Sequence, residues 1–539
     1  MKTNKSLKEK QVVDNDETET EKLLEIKSTI AEESESFFDL RTKRGQLLFM
    51  FVTATTAALI TLLPLNQLRE IFFQPNQLAC NPTCPVDNLS KVEMRRKPTY
   101  WIYGAGGEGQ WVHVNKVLKR LGFERVAINE SETADLLWAH DYPFTKLRSL
   151  MTTLKPHQKV NHFPGCGFIT NKIDLSTTKL KYIPMAFKLP NDADKLKAYD
   201  KENPGKSFVV KHHQHRHINI KKIEDIDFNN NLTFVQEFID NPLLVDGYKF
   251  DIGVYTIITS IDPLRVYIYY GDILFRYCAQ KYHPFDPSNV DKYIVGDDYL
   301  PTWKIPSLSR YYNGLGLGMK GSFDSYLKSK GSDPQIIWNQ VEDAIRLAIL
   351  NKEPLIKDIL HRYKNKRNFF EMTRFDLIVD ANLKVYLMEA NMSPNLSSAH
   401  FKQNFILYEQ VIYHVLNLVG VGHYMQRESF EKQDEETELM LSTDKNIMVH
   451  GNICSQPPCS ESCAPIDCEL CKPCLSYSDV NDLIYAYREH MNRGDTKRIF
   501  PPRKESESDE VDDWSSFILS PKNKMMMKWF QEKCKENDD

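Results

Sequence analysis

Apolar and polar side chains alternate along residues 372–396, "MTRFDLIVDANLKVYLMEANMSPNL", on either side of Asp380-Ala381-Asn382. This period-two pattern predicts two antiparallel strands joined by a turn. Residues facing each other across such a pair project to the same side of the sheet. With an even-numbered loop Asp376 falls opposite Leu387, and Asp376, Glu389 and Asn391 then share one face; an odd-numbered loop breaks that arrangement. Two carboxylates and an amide oxygen on one face suit a hard cation such as magnesium carried with nucleotide phosphates. A solvated strand face is the alternative.

The rest of the body follows an α/β pattern. "PTYWIYGAGGEGQWVHVNKVLKRLGF" predicts a strand, a glycine turn and an amphipathic helix, with "ADLLWAHDY" as the next strand. Gly104, Gly106 and Gly109 stand in G-x-G-x-x-G register, but no acidic residue closes a second strand about 20 residues on, so a plain strand-to-helix turn is the better reading than a dinucleotide fingerprint. "KSFVVKHHQHRHINIKKI" reads as a strand ending at Lys211, a basic loop and a second strand, a way to grip phosphate from one side. "LTFVQEFI" and "YKFDIGVYTIITSIDPLRVYIYYGDILFRYC" supply β-branched and aromatic strands. "PQIIWNQVEDAIRLAILNKEPLIKDIL" and "FILYEQVIYHVLNLVGV" have helical spacing. Past about residue 425 the chain turns polar and cysteine-rich, with a late helix predicted at "VNDLIYAYREHMNR". No internal repeat is found.

Length and charge add context. At 539 residues the chain holds two or three domains' worth of core, and its net charge of −4 speaks against nucleic acid as a partner. Residues 1–44 are charge-dense and poor in aromatics, the composition of a disordered tail. Residues 45–67 carry no charge and match the roughly 20 residues that cross a bilayer, so a transmembrane signal anchor is expected there, with 68–97 as a linker. Arg41, Lys43 and Arg44 precede the run, against Arg69 with Glu70 after it, which favours a type II membrane protein with its body in the secretory lumen. Cys454, Cys459, Cys463, Cys468, Cys471 and Cys474 cluster in the 422–539 extension; disulfides are expected, with a zinc site as the rival. Sequons at Asn88, Asn129, Asn231, Asn391 and Asn395 permit glycosylation in that topology.

"NHFPGCGFITNKIDL" (161–175), "YIPMAFKLP" (182–190), "VQEFIDNPLLVDGYKFDIGVYTIITSIDPLRVYIYYGDILFRY" (235–277), "RFDLIVDANLKVYLMEANMSPNL" and "LNLVGV", in that order, resemble the tubulin-tyrosine-ligase-like family of ATP-grasp ligases over roughly 98–421. The resemblance implies an ATP-grasp fold of the α/β (α+β) class, with a nucleotide cleft between two sheet-containing lobes. It also implies ATP and magnesium as cofactors, and glutamate joined to a protein glutamate through an acyl-phosphate. By the same resemblance Asp376, Glu389 and Asn391 are magnesium ligands. Lys211, Arg216 and Ile218 belong to the phosphate-facing strand and loop, and Gln236, Glu237, Phe238 and Ile239 to the adenine hinge. Lys249 and Asp251 are nucleotide-site and catalytic positions, and Arg276 is an active-site arginine suited to an anionic substrate. Expected partners are tubulin or another acidic protein tail, free glutamate as donor, and the membrane through 45–67. The chain departs from the family pattern where "HHQHRHI" replaces a glycine-rich loop, where Gly253 stands in place of an arginine, and at Asp297-Asp298 in place of Thr-Asn. Alternatives are a catalytically weak relative kept as a membrane-tethered binding module, a ligase for a secretory-pathway acceptor, and a body on the cytosolic face associated with microtubules.

Overall fold

The structure, a computed structural model, describes residues 97–538 apart from 106–107, 213–217, 231–232, 297, 425–440, 458 and 504–516. The apolar run 45–67, the tail before it and the sequons at Asn88 and Asn231 lie outside the described residues. The chain divides into two units, 1–93 and 94–539, and the described residues belong to the second. No helix among them is long and apolar enough to cross a membrane.

Three sheets build this unit. The first is parallel, with β1 (Thr99–Tyr103), β2 (Glu124–Arg125), β3 (Leu136–Ala139) and β4 (Lys159–Val160) in the order β2-β1-β3-β4. Helix α1 (Glu108–Arg120) crosses back from β1, burying Trp111, Val114, Val117 and Leu118 at helical spacing. Gly104, with φ +116°, makes the turn between them, where a Cβ would stand 2.7 Å from the Asp141 backbone nitrogen. That close approach explains the glycine without a dinucleotide. The segment after β4 is pinned by buried groups: His162 Nδ1 lies 2.8 Å from Glu371 Oε1, and the Phe163 N–H donates to Glu371 Oε2 at 2.9 Å.

The second sheet is antiparallel, with β5 (Ala186–Lys188), β6 (Phe208–His212), β7 (Asn219–Lys221) and β8 (Thr233–Glu237) in the order β5-β8-β6-β7. Leu196 of α2 (Ala193–Glu202) clusters there with Phe187, Phe208 and Val235.

The third sheet is the largest and centres on the 14-residue β10 (Tyr248–Ile261). It contains β9 (Leu244–Val245), β11 (Leu264–Tyr269), β12 (Leu274–Tyr277), β13 (Leu300–Pro301), β14 (Glu371–Val379), β15 (Val385–Asn391) and β16 (Thr496–Phe500), with order β13-β12-β10-β11-β16 and with β14 joining β10 to β15. Helices α3 (Met319–Ser329), α4 (Gln335–Leu360) and α5 (Asn404–Leu418) contribute to the same core. Ile337, Val341, Ala344, Ile345 and Ala348 recur every three or four residues along α4 and are buried, as the sequence pattern predicts.

The C-terminal extension joins this sheet. β16 pairs antiparallel with β11. α6 (Tyr477–Met491), opened by a Ser476/Asp479 capping box, brings Glu489 to Arg265 of β11, with bonds of 2.8 and 2.9 Å. α7 (Pro521–Asp538) inserts Asn523, which accepts from the Leu264 N–H at 2.8 Å and donates to Glu353 of α4 at 2.9 Å. The six clustered cysteines form disulfides 454–471, 459–468 and 463–474, so the disulfide expectation holds over the zinc one.

Candidate functional site

The β14–β15 hairpin carries the acidic residues, and its register differs from the expected one. Val379 pairs with Val385, so the loop 380–384 is odd-numbered. By itself that loop would set Asp376 opposite Met388. A bulge between the Leu377–Leu387 and Asp376–Glu389 pairs leaves Met388 as the extra residue and places Asp376 directly opposite Glu389. Asn391 pairs with Arg374 two residues along. The three expected ligands share one face after all, through a bulge rather than through the turn.

Their side chains touch. Asn391 Nδ2 donates to Asp376 Oδ2 at 3.0 Å and to Glu389 Oε1 at 3.1 Å. Arg276 of β12 donates to Asp251 of β10 at 2.9 and 2.8 Å and to Asp376 at 3.0 Å. Arg374, on the same face of β14, forks onto both Asp376 oxygens at 2.6 and 2.8 Å. Lys172, first residue of the short helix Lys172–Ser176 that Asn171 caps, lies 2.8 Å from Glu389 Oε2. Burial alone would raise the Glu389 carboxyl, but Lys172 and Asn391 outweigh it and bring it down to about 2. Burial lifts the Asp251 carboxyl above its usual value, with Arg276 opposing.

The residues expected on the nucleotide side lie on β6, β8 and β10 and in the segments beside them. Lys211 Nζ donates to Gln236 Oε1 at 2.7 Å across the β6–β8 pair. Burial pushes its ammonium down to about 8, with Glu389 opposing and Lys172 and Lys249 reinforcing the shift. Lys249 is buried and donates to the Tyr293 carbonyl at 2.8 Å. Phe238 clusters with Val209, Tyr282 and Tyr293, and Ile218 packs against the group. Ile239 is buried beside Phe238. Glu237 departs from the rest: adjacent strand residues face opposite ways, and its carboxylate meets Lys206 and the Tyr199 hydroxyl on the α2 side. The N–H groups of Glu237 and Phe238 are already bonded to Met185 and Ser207 carbonyls. Arg216 lies outside the described residues.

Two members of the site had gone unassigned. Arg374 was legible, because it sits two residues before Asp376 on a strand where alternation puts both on one face. Lys172 was not, since nothing local in "TNKIDL" ties it to a residue more than two hundred positions away. Taken together, Asp251, Asp376 and Glu389 face Arg276, Arg374, Lys172, Lys211 and Lys249. The two surplus positive charges suit a polyphosphate, and the hard oxygen donors Asp376, Glu389 and Asn391, without sulfur or imidazole among them, fit magnesium.

A family model described as the tubulin-tyrosine ligase family matches residues 149–428, which hold every residue of this site. A protein named probable tubulin polyglutamylase, from Caenorhabditis elegans, is 40% identical over 460 residues, covering 83% of this chain and 87% of the relative. The chain belongs to the tubulin-tyrosine ligase family. A human tubulin polyglutamylase is 25% identical over 407 residues, and a human tubulin monoglutamylase 29% identical over 306. These matches take in 69% and 52% of this chain but only 44% and 25% of the two human proteins. Membership corrects the expected localisation. The relatives are named for tubulin, a cytosolic protein that a lumenal body would not meet. The type II lumenal assignment is therefore withdrawn. Asn391, whose sequon that topology would have exposed, has its Nδ2 engaged by two carboxylates.

Proposed function

We propose that this chain is an ATP-dependent ligase of tubulin-polyglutamylase type, which joins free glutamate to a glutamate side chain of tubulin, or of another acidic protein tail, through an acyl-phosphate. The observation that carries this reading is the convergence of Asp376, Glu389 and Asn391 on one face, with Arg276, Arg374 and Lys172 bonded to their carboxylates. Asp376, Glu389 and Asn391 would hold magnesium, which would supply positive charge to the phosphates of ATP. Lys172 keeps Glu389 ionised throughout the neutral range. Asn391 ties the two carboxylates together through its Nδ2. Lys211, oriented by Gln236, and Lys249 would grip phosphates, while Ile218, Phe238 and Ile239 line the adenine side. Arg276, held by Asp251, would orient an anionic substrate.

Arg374 answers the substitution at Gly253. β10 and β14 pair Gly253 with Asp376, and a Cβ on Gly253 would lie 3.0 Å from Arg374 Cδ and 3.4 Å from Asp376 Oδ1. The cation that the family places at 253 is thus supplied here from across the ladder.

The test is mass spectrometry of tubulin incubated with the full chain, glutamate, ATP and magnesium. Peptides heavier by glutamate residues, absent when ATP is omitted, are expected; unmodified tubulin under conditions where ADP still accumulates would move the acceptor elsewhere.

A further inference from the structure

The far end of the large sheet holds a second polar cavity, lined by residues that the ligase site does not use. β10 carries Asp251 near its start and Thr259–Ile261 at its end, where they line this cavity. At the strand rise, the residues between Asp251 and Thr259 separate the two places by roughly 26 Å. The cavity holds about 370 Å³, a volume typical of small-molecule sites. β4, β10, the segment before β14, and α6 contribute its walls.

Seven Lys and Arg side chains line it against three carboxylates, so the lining is basic even though Arg488 and Lys522 also reach Ser442 and Asp479 beyond it. The pairs are definite. Arg265 uses Nε and Nη2 on Glu489, Arg367 and Lys522 share Asp482, and Lys366 reaches Asp262 at 3.3 Å. Lys159 pairs with no carboxylate among the described residues; its Nζ donates to the Arg367 carbonyl at 2.5 Å, and burial lowers its ammonium to about 8. Arg265 is 3% exposed and its Nη1 has no hydrogen-bond partner. Buried N–H groups of a guanidinium are rarely left so, because each unmet donor forfeits its hydration.

We infer that this cavity binds a small multivalent oxyanion, in chemical class a phosphate-bearing metabolite. Such a ligand brings several acceptor oxygens to Lys159 and the guanidinium groups at once, and neutralises the surplus charge. Because the walls come from the central sheet and from α6, the bound anion also fastens the C-terminal extension to the core. None of this depends on the ligase reading.

Calorimetric titration of the full chain with inorganic pyrophosphate tests it, with inorganic phosphate as the weaker comparison. Lys211→Ala removes a cation of the nucleotide cleft, and Lys159→Gln with Arg367→Gln removes two from the cavity. Binding should persist in Lys211→Ala and weaken at least tenfold in the double variant, whose ATP turnover stays at the wild-type level. Should the double variant fail to fold, Lys366→Gln, 37% exposed in its side chain, decides by the same criterion. No binding by wild type, or binding lost in Lys211→Ala and kept in the cavity variants, would overturn the inference.

Discussion

At the residue scale, the chemistry rests on a few charged groups whose neighbours set their state. Lys211 is the sharpest case, since its folded pKa of about 8 lies below the ordinary 10.5. A lowered lysine loses its proton as pH rises through the folded value, so its phosphate contact should fade above pH 8, while the folding penalty of burying its charge is relieved between 8 and 10.5. ATP affinity measured from pH 6.5 to 9.5 should hold steady and then fall in wild type, and Lys211→Arg should remove the fall. A flat wild-type profile would show that Lys211 does not hold phosphate. Arg374 makes a second prediction. Arg374→Gly should lower turnover by about 10–100-fold, as for loss of a charge-assisted fork, and Gly253→Arg added to it should recover part of the loss. Additive losses would mean that the two positions do not share one role. Alternation put Glu389 and Asn391 on one face, but Asp376 joins them only through the bulge, and the cation at Lys172 was not legible because the contact is tertiary.

At the scale of elements, the hairpin shows where pattern reading reaches its limit. Both strands were visible in 372–391, but loop parity and bulges are set by how the chain packs at Asp380 and Met388, and their two offsets cancel. α4 and α5 were legible because each buries one face, and period carries that information. β16 was not, because "TKRIF" is too short to stand out and its partner β11 lies far earlier in the chain. A buried amide is one of the contacts that dock α7. Asn523→Ala should leave the Leu264 N–H and the Glu353 carboxyl without their partner and cost about 1–3 kcal/mol by chemical denaturation. An unchanged midpoint would show that apolar packing by Met526, Trp529 and Phe530 suffices.

On the scale of the whole molecule, composition and family resemblance outlined a ligase body over 98–421 with an extension after it. In the structure β16, Glu489 and Asn523 of that extension complete the edge and the polar contacts of the large sheet. A chain cut after residue 421 should therefore leave Arg265 as a buried charge without its carboxylate and β11 with an open edge. Insolubility, or a loss of several kcal/mol, is expected on expression and denaturation; a monomeric, cooperatively folding fragment would show that the body stands alone.

The central claim is that Asp376, Glu389 and Asn391 support phosphoryl transfer from ATP. Its most direct measurement is ADP release by wild type and Glu389→Gln at saturating magnesium, glutamate and acceptor, with thermal melting as the control for folding. Loss of the ligand charge should lower the rate by about 100-fold or more at an unchanged melting temperature. Equal rates in the two proteins would contradict the assignment.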